Sequence, residues 1–328
     1  MSFGEKIVAY DIHQFIMNSS LYARKQAIAM KTTTLKSDIL LLTTAVIWGF
    51  AFVAQRVGMD FVGPFTFNGV RFALGALSLT PLLLMRRKHR DIVRNALPRS
   101  TVKTAIGGGV IAGTALFLGA SLQQVGLVYT TAGKAGFITG LYVVIVPILG
   151  LFWKQRPDTG TWIGACLAAV GLYLLSVTEA FTIDSGDVLE LIGAFFWAGH
   201  VLILGWLSPR IDVLFIAFFQ YITCSILSLI IAGFTEAITL TGLTQAAVPI
   251  LYGGICSVGV AYTLQVVAQK DAHPAHAAIL LSLESVFAAI GGWMLLGETL
   301  SFRGLCGCAL MLTGMLLSQL QGYIFGRT

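Results

Sequence analysis

Charge is what this chain has least of. Asp, Glu, Lys and Arg make up 11% of its 328 residues, where an ordinary soluble domain has about 25%. With 56% hydrophobic residues, a water-soluble core is excluded and an all-α membrane protein is expected, because in lipid every backbone amide must be satisfied within its own helix. Cysteine is also sparse. Cys166, Cys224, Cys256, Cys306 and Cys308 all fall in apolar stretches, where a thiol behaves as a small hydrophobe. No disulfide framework follows, and Cys306 and Cys308 lie on different faces of a helix, so no metal site is expected. Catalytic patterns are missing as well. There is no His-Glu-x-x-His, no Gly-x-Ser-x-Gly and no pair of aspartates at depth, which disfavours an intramembrane enzyme. Gly107-Gly108-Gly109 lacks the Lys and Ser/Thr of a P-loop, which disfavours a primary pump. The net charge of +6 comes without any zinc-finger or RNA-binding pattern, so nucleic acid is not an expected partner. No cofactor is expected either.

What the chain has is long apolar runs. A segment of about 20 mostly apolar residues crosses the hydrocarbon core as a helix. Ten stretches qualify: 38–57, 65–85, 104–125, 131–152, 159–178, 187–207, 212–234, 245–268, 275–296 and 302–321. Orientation follows from the basic residues. With the N-terminus inside, 17 of the 21 Lys and Arg fall in inside segments. Only Arg56 and Arg303 fall outside, while Arg71 and Lys134 lie within spans. Both termini are therefore expected in the cytoplasm. Glu179, Asp184, Asp187 and Glu190 cluster where the external connection between spans five and six is expected, and fit a solvated loop.

The chain also repeats itself. Shifting GTWIGACLAAVGLYLL (160–175) by 143 residues onto RGLCGCALMLTGMLL (303–317) lays Gly164 on Gly307 and Gly171 on Gly314, and lays span four on span nine. IWGFAF (47–52) is loosely matched by FWAGHV (196–201) near the start of the second half. Five spans per copy is an odd number, so the second copy enters the membrane from the opposite side, related to the first by a two-fold axis in the membrane plane. The expected organisation is ten transmembrane helices as two inverted five-helix repeats, 38–178 and 187–321. Residues 1–37 are too polar to span and have no signal-peptide core. They are expected to be a disordered or loosely held extension, and Met30 would make an ordinary alternative start.

Four stretches together resemble the ten-helix EamA-type members of the drug/metabolite transporter superfamily. They are AVIWGFAFVAQRVG (45–58), Arg71-Phe72, LQQVGLVYTTAGKAGFITGLYVVIVP (122–147) and LESVFAAIGGWMLLGETLSFRGLCGCALMLTG (283–314). Ser285 stands where the family's span-nine signature has proline. The resemblance covers about residues 38–321. It implies a secondary carrier with a central cavity lined largely by spans one to four and six to nine, with spans five and ten peripheral.

Each ionisable group inside a span is a site candidate, since a charge at the bilayer centre costs about 3 kcal/mol on insertion scales. Lys134 sits among Gly133, Gly136 and Gly140, small residues that let helices approach closely. It is expected to face a cavity and pair with Glu284 or a substrate carboxylate, the alternative being snorkelling to the outer surface. Glu284 lies near the middle of span nine, as a proton carrier or the counter-ion of a substrate amine, or else as a structural hydrogen-bonding group. Arg71 keeps its charge and is either a bidentate clamp on a carboxylate or an interfacial anchor. His200 is the remaining titratable group at depth. Gln123, Gln124 and Gln265 would orient a polar solute without imposing charge. Trp48 and Trp197 occupy similar places in the two halves and could line a site. His273 and His276 flank Pro274 at the interface, and Pro81, Pro147 and Pro249 are candidate pivots.

The expected function is secondary active transport, the export or exchange of a small metabolite such as an amino acid by alternating access, with proton coupling as one option. A multi-pass protein of a bacterial inner membrane is expected, with a small-molecule substrate and the lipid bilayer as partners. A drug efflux carrier or a passive pore are the other readings.

Overall fold

The protein is described by a computed structural model over residues 34–90, 99–129, 132–176, 185–297 and 301–324. Residues 1–33 of the N-terminal extension, Glu179, Asp184 and the Lys134 side chain lie outside the described residues. Among those described, every regular element is helical. In chain order the first helices are α1 (Thr34–Met59), α2 (Pro64–Arg90), α3 (Arg99–Tyr129), α4 (Ala132–Gly140), α5 (Tyr142–Phe152), α6 (Thr159–Ser176) and α7 (Ser185–Leu207). They are followed by α8 (Val213–Thr235), α9 (Leu240–Gln245), α10 (Ala247–Leu251), a π-helical segment (Tyr252–Tyr262), α11 (Thr263–Ala268), α12 (Pro274–Leu281), α13 (Glu284–Leu296) and α14 (Phe302–Ile324). Where they are described, the ten apolar stretches of the sequence fall on helix apart from single breaks and ends. Among the described residues, seven helical runs, two of them containing the π-helical segment or the break before α13, are long and apolar enough to cross a membrane, and three apolar helices, 138–152, 159–174 and 302–318, are shorter.

Helix starts follow their local chemistry. Pro64 and Pro274 open α2 and α12, where a missing N–H costs nothing. At α2, the backbone N–H groups of Phe65 and Thr66 donate to the two oxygens of Glu236, both at 2.8 Å. A carboxylate just past the end of α8 thus satisfies two orphan donors at the positive end of α2. Asp212 caps α8 by accepting from Leu214 N–H at 3.0 Å, and His273 Nδ1 accepts from Ala275 N–H at 3.3 Å to cap α12.

Besides the break at Ala246 between α9 and α10, two helices are interrupted in a matching way, and neither of these interruptions is at proline. Leu141 separates α4 from α5 with φ −60° and ψ −14°, and Leu283 precedes α13 with φ −62° and ψ −12°. In both places the ladder tightens to bonds three residues apart: Leu141 N–H to Ile138 at 3.2 Å, and Leu283 N–H to Leu280 at 3.2 Å. Pro81 and Pro147 lie inside the continuous helices α2 and α5, and Pro249 lies inside α10. These prolines therefore do not mark the breaks seen at Leu141 and Leu283. A short 3₁₀ turn, with all dihedrals still in the right-handed region, breaks a helix without any helix-breaking residue.

Close approach at small residues organises the packing. A Cβ on Gly164 would stand 2.7 Å from the Gly314 carbonyl, and one on Gly171 2.6 Å from the Gly307 carbonyl. Helices α6 and α14 therefore touch backbone to backbone along their length, the small-residue mode of membrane helix association. Elsewhere α2 packs on α8 and on the π-helical segment, and α3 on α7 and α8. Toward the other ends of the helices, His276 shares hydrogen bonds with Asp38 Oδ1 (2.9 Å) and Ser318 Oγ (3.0 Å). The half-buried His276 thus joins α1, α12 and α14.

Candidate functional site

The two interrupted helices bring their first residues after the break together. Tyr142 follows Leu141, Glu284 follows Leu283, and the Tyr142 hydroxyl donates to Glu284 Oε1 at 3.1 Å. Glu284 is 7% exposed and lines a narrow cavity whose core, about 30 Å3, has room for one or two waters.

Arg71, on α2, lines the same cavity and is 3% exposed. Its guanidinium packs over the rings of Phe67 and Phe72, 5.5 and 5.1 Å from their centroids. Among the described residues no carboxylate forms an ion pair with it, and its Nε has no hydrogen-bond partner. A guanidinium whose charge persists at any pH is thus held by aromatic faces, with donors left over for an anion. Among the described residues, the cavity therefore carries one cation and one carboxyl group.

Aromatic rings form another part of the wall. Trp48 on α1 and Trp197 on α7 both line the cavity and flank Tyr262, at centroid distances of 4.4 and 6.2 Å. The Trp48 indole N–H donates to the Ser257 carbonyl at 3.3 Å, whereas Trp197 Nε1 is buried without a partner among the described residues. Ser257 and Tyr262 both lie on the π-helical segment, a geometry that recurs at functional sites because it breaks the regular ladder.

Six of the nine residues put forward as lining a site, Arg71, Trp48, Trp197, Gln123, Gln265 and Glu284, converge on this cavity. His200 does not line it. That residue is fully buried behind the aromatic wall, bonded to Gln220 at 2.9 Å and edge-on to Trp197 and Tyr262. Lys134 lies on α4, and its side chain is outside the described residues. Gln124 is fully buried away from the cavity. Helices α6 and α14 supply no lining residue, in keeping with peripheral spans five and ten. Helix α8 supplies none either, which differs from the expectation for span seven.

Sequence reading missed Gln55, Thr139 and Ser257 on the cavity wall. Each is a polar residue inside an apolar run, and that signal was available. Glu190 needs a correction. It does not sit in a solvated loop but on α7, fully buried, accepting from the Thr139 hydroxyl at 2.8 Å. Asp187, one turn earlier, is 6% exposed. The span expected over 187–207 already held both residues; the acids just before it drew them into the reading of a solvated loop.

A bundle of apolar helices that converges charged and aromatic side chains on an interior cavity is built to bind a small polar solute within the membrane, which is the task of a transporter. The chain belongs to the EamA-like transporter family, whose model matches it twice, over residues 35–177 and 184–320. Among curated relatives, an uncharacterised transporter of Archaeoglobus fulgidus is 33% identical over 301 residues, covering 92% of this chain and 91% of its own length. The uncharacterised inner membrane transporter YedA of Escherichia coli K12 is 25% identical over 300 residues, covering 85% of this chain and 89% of its own. YoaV of Bacillus subtilis, another uncharacterised transporter, is 21% identical over 284 residues, covering 85% of this chain and 94% of its own. A protein solved by crystallography shares the fold, with a TM-score of 0.69 at 16% identity, over 89% of this chain and 99% of that one. The protein is a multi-pass membrane transporter.

Proposed function

We propose that the protein is a secondary transporter that moves a small zwitterionic metabolite, an amino acid or related compound, by alternating access to the central cavity. The observation that carries this reading is the pairing of Arg71 and Glu284 in one cavity, a guanidinium for a carboxylate and a carboxyl group for an amine or a proton. Lys134 is kept as a second cation for the substrate carboxylate. Because the cavity core has room for one or two waters (about 30 Å3), a metabolite needs the walls to part, and an inverted repeat supplies a way to part them on either side.

The supports for that repeat are geometric. The two breaks, Leu141 and Leu283, have matching dihedrals, and the residues after them meet in the Tyr142–Glu284 bond. The glycines paired by the sequence shift contact one another reciprocally, Gly164 with Gly314 and Gly171 with Gly307, as residues do across a two-fold axis. We take residues 38–178 and 187–321 as five-helix halves inverted in the membrane, with ten crossings and both termini cytoplasmic. The membrane is a bacterial inner membrane, as for the Escherichia coli relative. A second reading, efflux of amphipathic drugs, is favoured by the Trp48, Trp197 and Tyr262 surface.

The test is flux in proteoliposomes under imposed pH or solute gradients, with a panel of amino acids and amphipathic cations. Wild-type protein is expected to move an amino acid, and Glu284→Gln to lose the response to the gradient while remaining folded. If no solute moves under any gradient, the reading fails.

A further inference from the structure

Outside the cavity the molecule holds a second buried carboxyl group, and its surroundings are built. Glu190 has no solvent exposure. One oxygen, Oε2, accepts from the Thr139 hydroxyl at 2.8 Å, and the other, Oε1, has no partner among the described residues. The space it occupies exists because α3 has glycine at position 126: a Cβ there would stand 2.7 Å from Oε1. A carboxylate at this depth, about 8 Å beyond the start of α7 at 1.5 Å per residue, is costly unless a cation neutralises it.

The identity of that cation follows from the donors present. A metal ion needs several oxygen or nitrogen ligands, and among the described residues no three His, Cys, Asp or Glu gather anywhere. One carboxyl group and one hydroxyl make a site for a proton. The titratable groups on the elements packed against this part of α7 are Asp187 and His200 on α7 itself, Lys134 on α4, Tyr142 on α5, His276 on α12, and Tyr129, Lys103 and Arg99 on α3, where Tyr129 lies one turn beyond Gly126. Thr139 has a second role: besides bonding Glu190, it lines the cavity that holds Glu284. A hydroxyl so placed both accepts and donates.

We propose that Glu190 is a proton-binding site of the transport cycle, connected to the central cavity through the Thr139 hydroxyl. In the inward step a cavity water gives a proton to Thr139 Oγ1 while the Thr139 hydroxyl passes its own proton to Glu190 Oε2. The hydroxyl ends as it began, the carboxylate becomes the acid, and the cavity water is left as hydroxide to be neutralised by the Glu284 carboxyl proton. The reverse sequence empties the site. With Asp187 one turn toward the start of α7, Glu190 stands between that end of the bundle and the cavity. This inference deepens the proposed transport reading and rests on it for its place in a cycle, but the site itself is tested without transport.

The test follows the carbonyl stretch of protonated carboxyl groups by infrared difference spectroscopy on the full-length protein in lipid, as bulk pH is changed. Wild-type protein is expected to show a buried carboxyl band that Glu190→Gln removes and Glu284→Gln leaves in place. Thr139→Val is expected to shift that band by removing its hydrogen bond, and to slow proton uptake after a pH jump, read by a pH-sensitive dye, about tenfold or more. Thr139→Ser restores both. Should Glu190→Gln misfold, Glu190→Asp and Thr139→Val carry the test, since each keeps an acid and moves its band. A band set unchanged by Glu190→Gln, or by both substitutes, overturns the site. Uptake in Thr139→Val as fast as wild type overturns the route. Absent solute flux with the Glu190 band intact would instead count against the transport reading alone.

Discussion

Arg71 and Glu284 bring a guanidinium and a carboxyl group into one cavity, and each is held so that part of its bonding capacity is unused. The Tyr142 hydroxyl takes one oxygen of Glu284, and aromatic faces without a carboxylate hold Arg71. Removing the first partner is a mild change. Tyr142→Phe is expected to cost about 1 kcal/mol of stability and to lower flux several-fold, measured by thermal unfolding and vesicle transport. Replacing the second is not mild. Lysine keeps the charge but loses the planar fork and the stacking, so Arg71→Lys is expected to raise the KM for the transported solute roughly tenfold, the worth of one charge-assisted bond, with little change in unfolding temperature. Unchanged KM would mean that Arg71 serves packing alone. Both residues were legible in the sequence because a charge within an apolar run stands out. Glu190 was not: it fell inside the span expected over 187–207, but three other acids precede it within eleven residues and the cluster reads as a solvated connection. Its burial is decided by Gly126 and Thr139, more than fifty residues away in the chain.

The helices themselves were legible almost throughout, because twenty apolar residues leave lipid no alternative to a helix. Their interruptions were not. The breaks at Leu141 and Leu283 arise from 3₁₀ tightening that no proline announces, whereas Pro81 and Pro147 pass through continuous helices. Close helix contacts were half legible: the matched glycines marked α6 and α14, and the structure added that each glycine meets the other pair's partner. Gly171→Val is expected to be costly, since its Cβ would approach the Gly307 carbonyl to 2.6 Å and backbone cannot yield as a side chain can. Overpacking of this kind costs about 1–3 kcal/mol, visible as a lower unfolding temperature, while Gly107→Ala, whose Cβ would meet nothing within 4 Å, is expected to leave it unchanged. Glu236→Gln removes the charge that caps α2 through two 2.8 Å bonds, and a loss of about 1 kcal/mol is expected in the same assay.

At the scale of the whole molecule, the account places one cavity between two similar halves and requires that it open to each side in turn. On that account Glu284, Tyr142 and Arg71 stay at the centre while helices on either side of them rock, in keeping with the meeting of Glu284 and Tyr142 where the two interrupted helices converge. Ala51 is the most convenient reporter: it lines the cavity, is 1% exposed and is small enough to replace without disturbing its neighbours. The decisive measurement is labelling of Ala51→Cys by a membrane-impermeant maleimide, in a chain whose five native cysteines are replaced by alanine, using right-side-out and inside-out vesicles. Labelling from both sides, with the balance shifted by an imposed gradient, is the predicted result. Labelling confined to one side under every gradient, in protein that still transports, would contradict it.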